Sequence, residues 1–173
     1  TLVLEDEVPR VPKRAAVFER ARKWDLGTKT PVERDRFAIK HPFPMGRVPM
    51  IRGLVPHQDG EVAAEKAPNT DDSIENAKAI KSLSYFLNMD LTGICEAKRF
   101  AWFSHDDDGK PIEPRHRHAI VMLIDQGYET MDGASGDDWI SGAQSMRGYL
   151  RGATVGGQMA EFIRRLGYSA RVH

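Results

Sequence analysis

Ser145-Met146-Arg147-Gly148-Tyr149-Leu150-Arg151-Gly152-Ala153-Thr154-Val155-Gly156 lies within the longest stretch of this chain that keeps helical spacing. Around it, Met146, Leu150, Ala153, Ala160, Ile163 and Leu166 recur at helical intervals, which predicts a helix from about Asp137 to Leu166. Ser135 and Asp138 form a plausible N-cap pair, Gly167 stops the run, and Tyr168-Ser169-Ala170-Arg171-Val172 reads as a following strand. Before the helix, His118 to Ile124 is apolar at consecutive positions, as in a strand covered on both faces. Strand, helix, strand is the order of an α/β or α+β layered domain. A sheet ending at Val172 lacks later strands and the chain opens at Thr1 rather than Met, so a piece of a longer protein is expected.

Working back from that unit, Asp72 can cap a second helix, with Glu75 three residues on as in a capping box. Ile74, Ala77, Ile80, Leu83, Phe86 and Leu87 then follow at helical spacing. Thr92 to Phe103 reads as a strand, and Ser104-His105-Asp106-Asp107-Asp108-Gly109 as a polar turn after it. Residues 1–70 are rich in Pro, Gly and charge, with a helix expected from Arg14 to Trp24. Segment 41–68 contains so many breakers that a long irregular stretch wrapping the rest is expected. The division is therefore an N-terminal wrapping segment, 1–70, and a folded part, 71–173.

The 173 residues suit one domain, and 25 basic residues balance 25 acidic ones. That balance gives no steering toward nucleic acid or an anionic membrane. No apolar run approaches the roughly 20 residues a membrane helix needs. Cys95 is the sole cysteine, which excludes an internal disulfide and any site built from thiolates alone.

Gly148, Gly152 and Gly156 fall four apart and share one face of the long helix. Each costs about 1 kcal/mol of helix stability relative to Ala, so the stripe needs a compensating gain. Bare backbone there admits either another helix or a flat cofactor. Ser145 and Tyr149, also four apart, place a hydroxyl beside a phenol. On pattern alone, the favoured reading is that the glycines permit tight helix packing and Tyr149 is an ordinary edge of a core.

The run Tyr149-Leu150-Arg151-Gly152-Ala153 through Ala160-Glu161-Phe162-Ile163-Arg164-Arg165-Leu166-Gly167-Tyr168 resembles the cobalamin-dependent reductive dehalogenase family. Asp90-Leu91-Thr92-Gly93-Ile94 leading to Trp102-Phe103-Ser104 is similar to a strand of the same family. The match spans about 72–173, with only a loose likeness at Val17-Phe18-Glu19-Arg20-Ala21. The resemblance implies an incomplete nitroreductase-like, cobalamin-binding α+β domain. It implies base-off cobalamin over a small pocket and two [4Fe–4S] clusters whose ligands lie outside this chain. Reduced cobalt in that family attacks an organohalide, here expected to be a halogenated aromatic or phenol, and a Tyr donates the proton. That role carries to Tyr149, with Ser145 one turn before it as a substrate contact and Gly148 and Gly152 against the cofactor. An electron donor of the ferredoxin or flavin-reductase type and a cytoplasmic setting follow from the same resemblance. Phenols, whose ordinary pKa is about 10, hold their proton at neutral pH and release it when the phenolate is stabilised.

Phe18, Phe37, Phe43 and Trp102 can wall an apolar pocket, with Phe18 the expected substrate contact, or can simply be core. His116 and His118 share a strand face as a metal pair does, but no third ligand is evident. A calcium loop at Asp106 puts Arg115 where a Glu is needed, which favours a solvated turn. Arg10, Arg14, Arg20, Arg22 and Lys23 read as a solvated basic face. The competing functions are an epoxyqueuosine-reductase-like enzyme, a flavin-dependent nitroreductase-like enzyme and a vestigial scaffold without cofactor.

Overall fold

The structure is a computed structural model that describes residues 7–33, 42–134 and 139–173, with the backbone alone at 139. It divides into two compact units, Thr1–Arg36 with Cys95–Ala119, and Phe37–Ile94 with Ile120–His173. The described residues mix helix with a two-stranded sheet.

In the second unit, helix α4 (Ser73–Phe86) starts where the sequence predicts. The Asp72 carboxylate accepts from the Ile74 and Glu75 amides at 2.8 and 3.1 Å, satisfying two of the donors that a helix start leaves open. Glu75 pairs with Lys78 at 2.7 Å. Ile80, Leu83 and Leu87 pack on a buried cluster of Met89, Val155 and Met159, which Ile120, Met122 and Ile124 complete. Strands β1 (Leu91–Glu96) and β2 (His118–Leu123) run antiparallel. Their bonds show it, Asp90 to Leu123 in this unit and Ala97 to Arg117 in the other.

Two strand expectations in this sheet need correction. The strand predicted over 92–103 ends at Glu96 and gives way to a 3₁₀ turn, Arg99–Ala101. The chain opposite it holds Pro111 and Pro114, which carry no N–H to continue the ladder. Strand β2 is not covered on both faces: Val121 and Leu123 are 50 % and 58 % exposed, while Ile120 and Met122 face the cluster.

Helix α6 (Trp139–Arg165) is the predicted long helix, and its expected cap at Ser135 and Asp138 lies outside the described residues. It is preceded by α5 (Tyr128–Asp132), which opens after Gly127 at φ +86°. At its C-terminus the Tyr168 amide bonds the Ile163 carbonyl and the Gly167 amide bonds the Arg164 carbonyl. That is a Schellman closure with Gly167 in the left-handed region, at φ +85°. A side chain at 167 would also sit 2.6 Å from the Glu65 carbonyl, so two constraints require glycine there.

Residues 168–172 form no strand, contrary to expectation. Their polar groups are spent elsewhere: the Val172 amide bonds the Gln58 carbonyl and the Ala170 carbonyl accepts from Arg164. Segment 41–68 is more regular than its breakers suggest. It contains α2 (Pro42–Met45), α3 (Val48–Gly53) and a 3₁₀ turn, Val55–His57. Pro42, Pro49 and Pro56 stand in the first turns of these elements, where a missing N–H costs nothing. Its later part is tied to the end of the long helix, since the Ala63 and Ala67 amides bond carbonyls of Arg164 and Leu166.

In the first unit the helix predicted over 14–24 is split. A 3₁₀ turn, Lys13–Ala15, and α1 (Val17–Arg22) are separated by Ala16 in an extended conformation. The Arg10 guanidinium donates to the carbonyls of Trp102, Phe103 and Ile112. Asp106 turns the hairpin tip by accepting from the Asp108 and Lys110 amides, both at 2.9 Å.

Candidate functional site

At 100° per residue, Ser145, Tyr149, Gly152, Gly156, Ala160 and Ile163 of α6 share one side of the helix. Arg147, Thr154, Gln158, Phe162 and Arg165 lie on the other side and are exposed. The first side faces protein: Gly156 and Ala160 are buried, and Val155 and Met159 beside them enter the core cluster. Tyr149 departs from this rule. It stands on the inward stripe yet is 55 % exposed, and among the described residues its hydroxyl has no hydrogen-bond partner. Ser145, one turn earlier, is half-buried.

The glycines beside Tyr149 are occupied by this chain. A side chain at Gly148 would meet the Gln126 side chain at 3.5 Å, one at Gly152 the Ile124 Cδ1 at 3.2 Å, and one at Gly156 the Val172 Cγ1 at 2.9 Å. Packing therefore requires bare backbone at Gly156 and crowds Gly152, while at Gly148 the contact is ordinary and leaves room for a methyl. The open part of the stripe is at Ser145 and Tyr149. One turn and two turns further on, Ala153 and Gly157 line a small cavity of about 70 Å³ with Ile51, Leu54, Val55, Gln58 and Val172.

The turn at 124–127 abuts the phenol-bearing helix and is held by polar contacts. One oxygen of Asp90 accepts from Arg151 Nη1 at 2.9 Å and from the Asp125 amide at 2.7 Å. These two bonds, the amide first, hold the Asp90 carboxyl below its usual range. Asp125 in turn accepts from the Gly127 amide at 2.7 Å, and the Gln144 side chain donates to the Gln126 carbonyl.

Sequence reasoning missed Arg164 as an interior group. It is 2 % exposed and donates to the Ala170 and His57 carbonyls and to Glu161. Its place between Ala160, Ile163 and Gly167 on the inward side was the available signal. The Asp90–Arg151 bond spans 61 positions and leaves no local trace in the sequence.

Phe18 lies on α1 in the other compact unit and is 48 % exposed, and Phe37 lies outside the described residues. His116 stacks on Trp102 at 6.1 Å between ring centroids. Among the described residues no three His, Cys, Asp or Glu are grouped to hold a metal ion, and Cys95 is exposed. Among them no helix is long and apolar enough to cross a membrane.

No protein-family model matches this chain, and no curated protein matches it. Solved structures do. The catabolic reductive dehalogenase NpRdhA, N-terminally tagged, is 51 % identical with a TM-score of 0.91, the match covering 99 % of this chain and 25 % of that one. The same protein in complex with 3-bromo-4-hydroxybenzoic acid matches with the same values. So does a reductive dehalogenase structure described as suggesting a mechanism for B12-dependent dehalogenation. This chain thus spans about a quarter of the length of the relatives it matches.

Proposed function

The chain belongs to the reductive dehalogenase family, and on that premise we propose that it is the part of a B12-dependent dehalogenase that presents the proton donor, Tyr149, to a halogenated aromatic substrate. The observation that carries the proposal is the phenol standing open on an otherwise inward-facing stripe. The relative that takes 3-bromo-4-hydroxybenzoic acid supports the substrate class.

The residues present fit B12 on one count: the stripe is open at Ser145 and Tyr149, while side chains of this chain lie against Gly148 and Gly152. When bound, B12 supplies the electrons that break the carbon–halogen bond. The rest is balanced by one proton: the substrate takes two electrons and a proton, the halide leaves, and a carbon–hydrogen bond replaces the carbon–halogen bond. Tyr149 gives up its hydroxyl proton to that carbon, and a proton taken up from solvent restores it. Ser145 orients the ring beside it. Gly148 and Gly152 let the helix close onto Gln126 and Ile124, which fixes the backbone on either side of the phenol.

A [4Fe–4S] cluster needs about four thiolates, and Cys95 alone cannot provide them, so no step is routed through a cluster here. In the same proposal, 71–173 is the first half of a nitroreductase-like catalytic domain and 1–70 its wrapping segment, supported by the Ala63 and Ala67 bonds to the end of α6. The protein works in the cytoplasm with a ferredoxin or flavin-reductase type donor.

The test is Tyr149→Phe in the full-length enzyme, with bromide release from 3-bromo-4-hydroxybenzoic acid as readout. Release falls at least ~100-fold while B12 absorbance is unchanged. Retained turnover refutes the donor role. Absence of halide release from the wild-type enzyme favours an epoxyqueuosine-type reaction instead, and absence of B12 favours a scaffold.

A further inference from the structure

We infer that Asp90 is a positioning residue for Tyr149, locking the turn at 124–127 and the phenol-bearing helix into one register. The inference rests on the proton-donor reading above.

Asp90 joins three pieces of chain. Its amide bonds the Leu123 carbonyl at 3.3 Å, and one carboxylate oxygen accepts from the Asp125 amide and from Arg151 on α6. The turn it anchors touches α6 at Gly148 and Gly152, where the helix has no side chain to resist sliding or rotation. Smooth contacts set how closely the two approach but not their angle. The angle is set by directional bonds, of which Asp90–Arg151 lies two residues from Tyr149. The Gln144 bond to the Gln126 carbonyl is the other, one turn before Gly148.

Leverage makes this matter. The helix backbone has a radius of about 2.3 Å, and a Tyr hydroxyl stands on the order of 8 Å from the axis. A turn of about 10° about that axis moves the hydroxyl by roughly 1.4 Å, whereas a 1 Å misplacement can cost about 100-fold in rate. Exposed ion pairs contribute little to stability, and Arg151 and Asp90 are 24 % and 40 % exposed. Loss of the pair therefore acts on turnover far more than on folding.

The experiment uses full-length, B12-loaded enzyme with 3-bromo-4-hydroxybenzoic acid. Asp90→Asn lowers kcat about 10- to 100-fold with KM within about twofold, and the B12 absorbance is unchanged. Hydrogen exchange at the amides of 124–127 accelerates. In a Tyr149→Phe background, Asp90→Asn causes no further loss of the residual rate. Arg151→Lys, which keeps the charge and loses the geometry, shows the same pattern and serves if Asp90→Asn does not accumulate as folded protein. An unchanged kcat overturns the inference. So does an equal fold-loss in both backgrounds, which marks Asp90 as a support of the fold alone. Full activity in Tyr149→Phe defeats the donor reading itself, and that result is read without reference to Asp90.

Discussion

Converting the three glycines of α6 to alanine, one at a time, separates protein packing from cofactor contact on that face. Gly→Ala in a helix interior gains about 1 kcal/mol from backbone entropy and propensity. Against that gain stands whatever the new methyl meets. At Gly148 it meets Gln126 Nε2 at 3.5 Å, an ordinary contact, so Gly148→Ala keeps nearly the whole gain. At Gly152 it meets Ile124 Cδ1 at 3.2 Å, the far end of a flexible side chain that can yield, so the net gain lies between zero and about 1 kcal/mol. At Gly156 it meets Val172 Cγ1 at 2.9 Å and Cγ2 at 3.4 Å. Valine is stiff about χ1, and the Val172 amide is pinned to the Gln58 carbonyl at 2.9 Å, so backbone must shift. Overpacking of this kind costs about 1–3 kcal/mol, leaving Gly156→Ala neutral to about 2 kcal/mol destabilised. Urea unfolding of the full-length protein without B12, with exchange of the α6 amides followed along it, gives the order. Gly148→Ala is the most stable, Gly152→Ala lies at or above wild type, and Gly156→Ala is the least stable. A Gly148→Ala protein that folds normally but loses B12 refutes the packing account and puts the cofactor on that face.

Three further outcomes follow from polar contacts. The Asp90 carboxyl titrates below 3.8 because it accepts from the Asp125 amide and Arg151. Its contribution to stability is therefore complete above the unfolded value and is lost as pH falls below about 4 through the folded one. Carboxyl NMR should show the midpoint rising toward 3.8 in Arg151→Met, and a wild-type midpoint at or above 3.8 refutes the bond. Arg164→Met keeps the apolar stem but strands the Ala170 and His57 carbonyls, for a loss of about 2–4 kcal/mol. Its partner Glu161 is 46 % exposed and adds little, and unchanged exchange at 57–63 and 170–172 contradicts the prediction. Ser84→Ala breaks a buried 2.6 Å bond to Thr92 and costs about 1–2 kcal/mol. Adding Thr92→Val recovers part of that loss, because no buried hydroxyl is then left without its partner, and an additive double variant counts against the pairing.

The parts that could be read from sequence were those governed by local chemistry. Asp72 caps α4 and Gly167 ends α6 because each solves a bonding problem within a few residues. The parts that could not depend on distant partners. Residues 168–172 have a strand's composition, yet their groups are taken by Arg164 and Gln58. Pro42, Pro49 and Pro56 looked like breakers because sequence alone does not show that each stands in the first turn of an element. At the candidate site, the helix and its phenol were legible, but the approach of Gln126, Ile124 and Val172 to the glycine stripe was not, because they come from distant positions in the chain.

Tyr149 itself separates two physical roles cleanly. A tyrosine kept for packing hides its ring against neighbours and finds its hydroxyl a partner. Here the ring is more than half exposed on the inward stripe, and among the described residues the hydroxyl bonds to nothing. Removing that oxygen therefore strands no donor or acceptor among the described residues, and Tyr149→Phe leaves their hydrogen bonds intact. If the ring merely marks the edge of a core, phenylalanine serves as well in every respect. If it delivers a proton, phenylalanine folds equally well and cannot complete the exchange of halogen for hydrogen. Stability and turnover then part company at a single atom, which a packing role cannot produce.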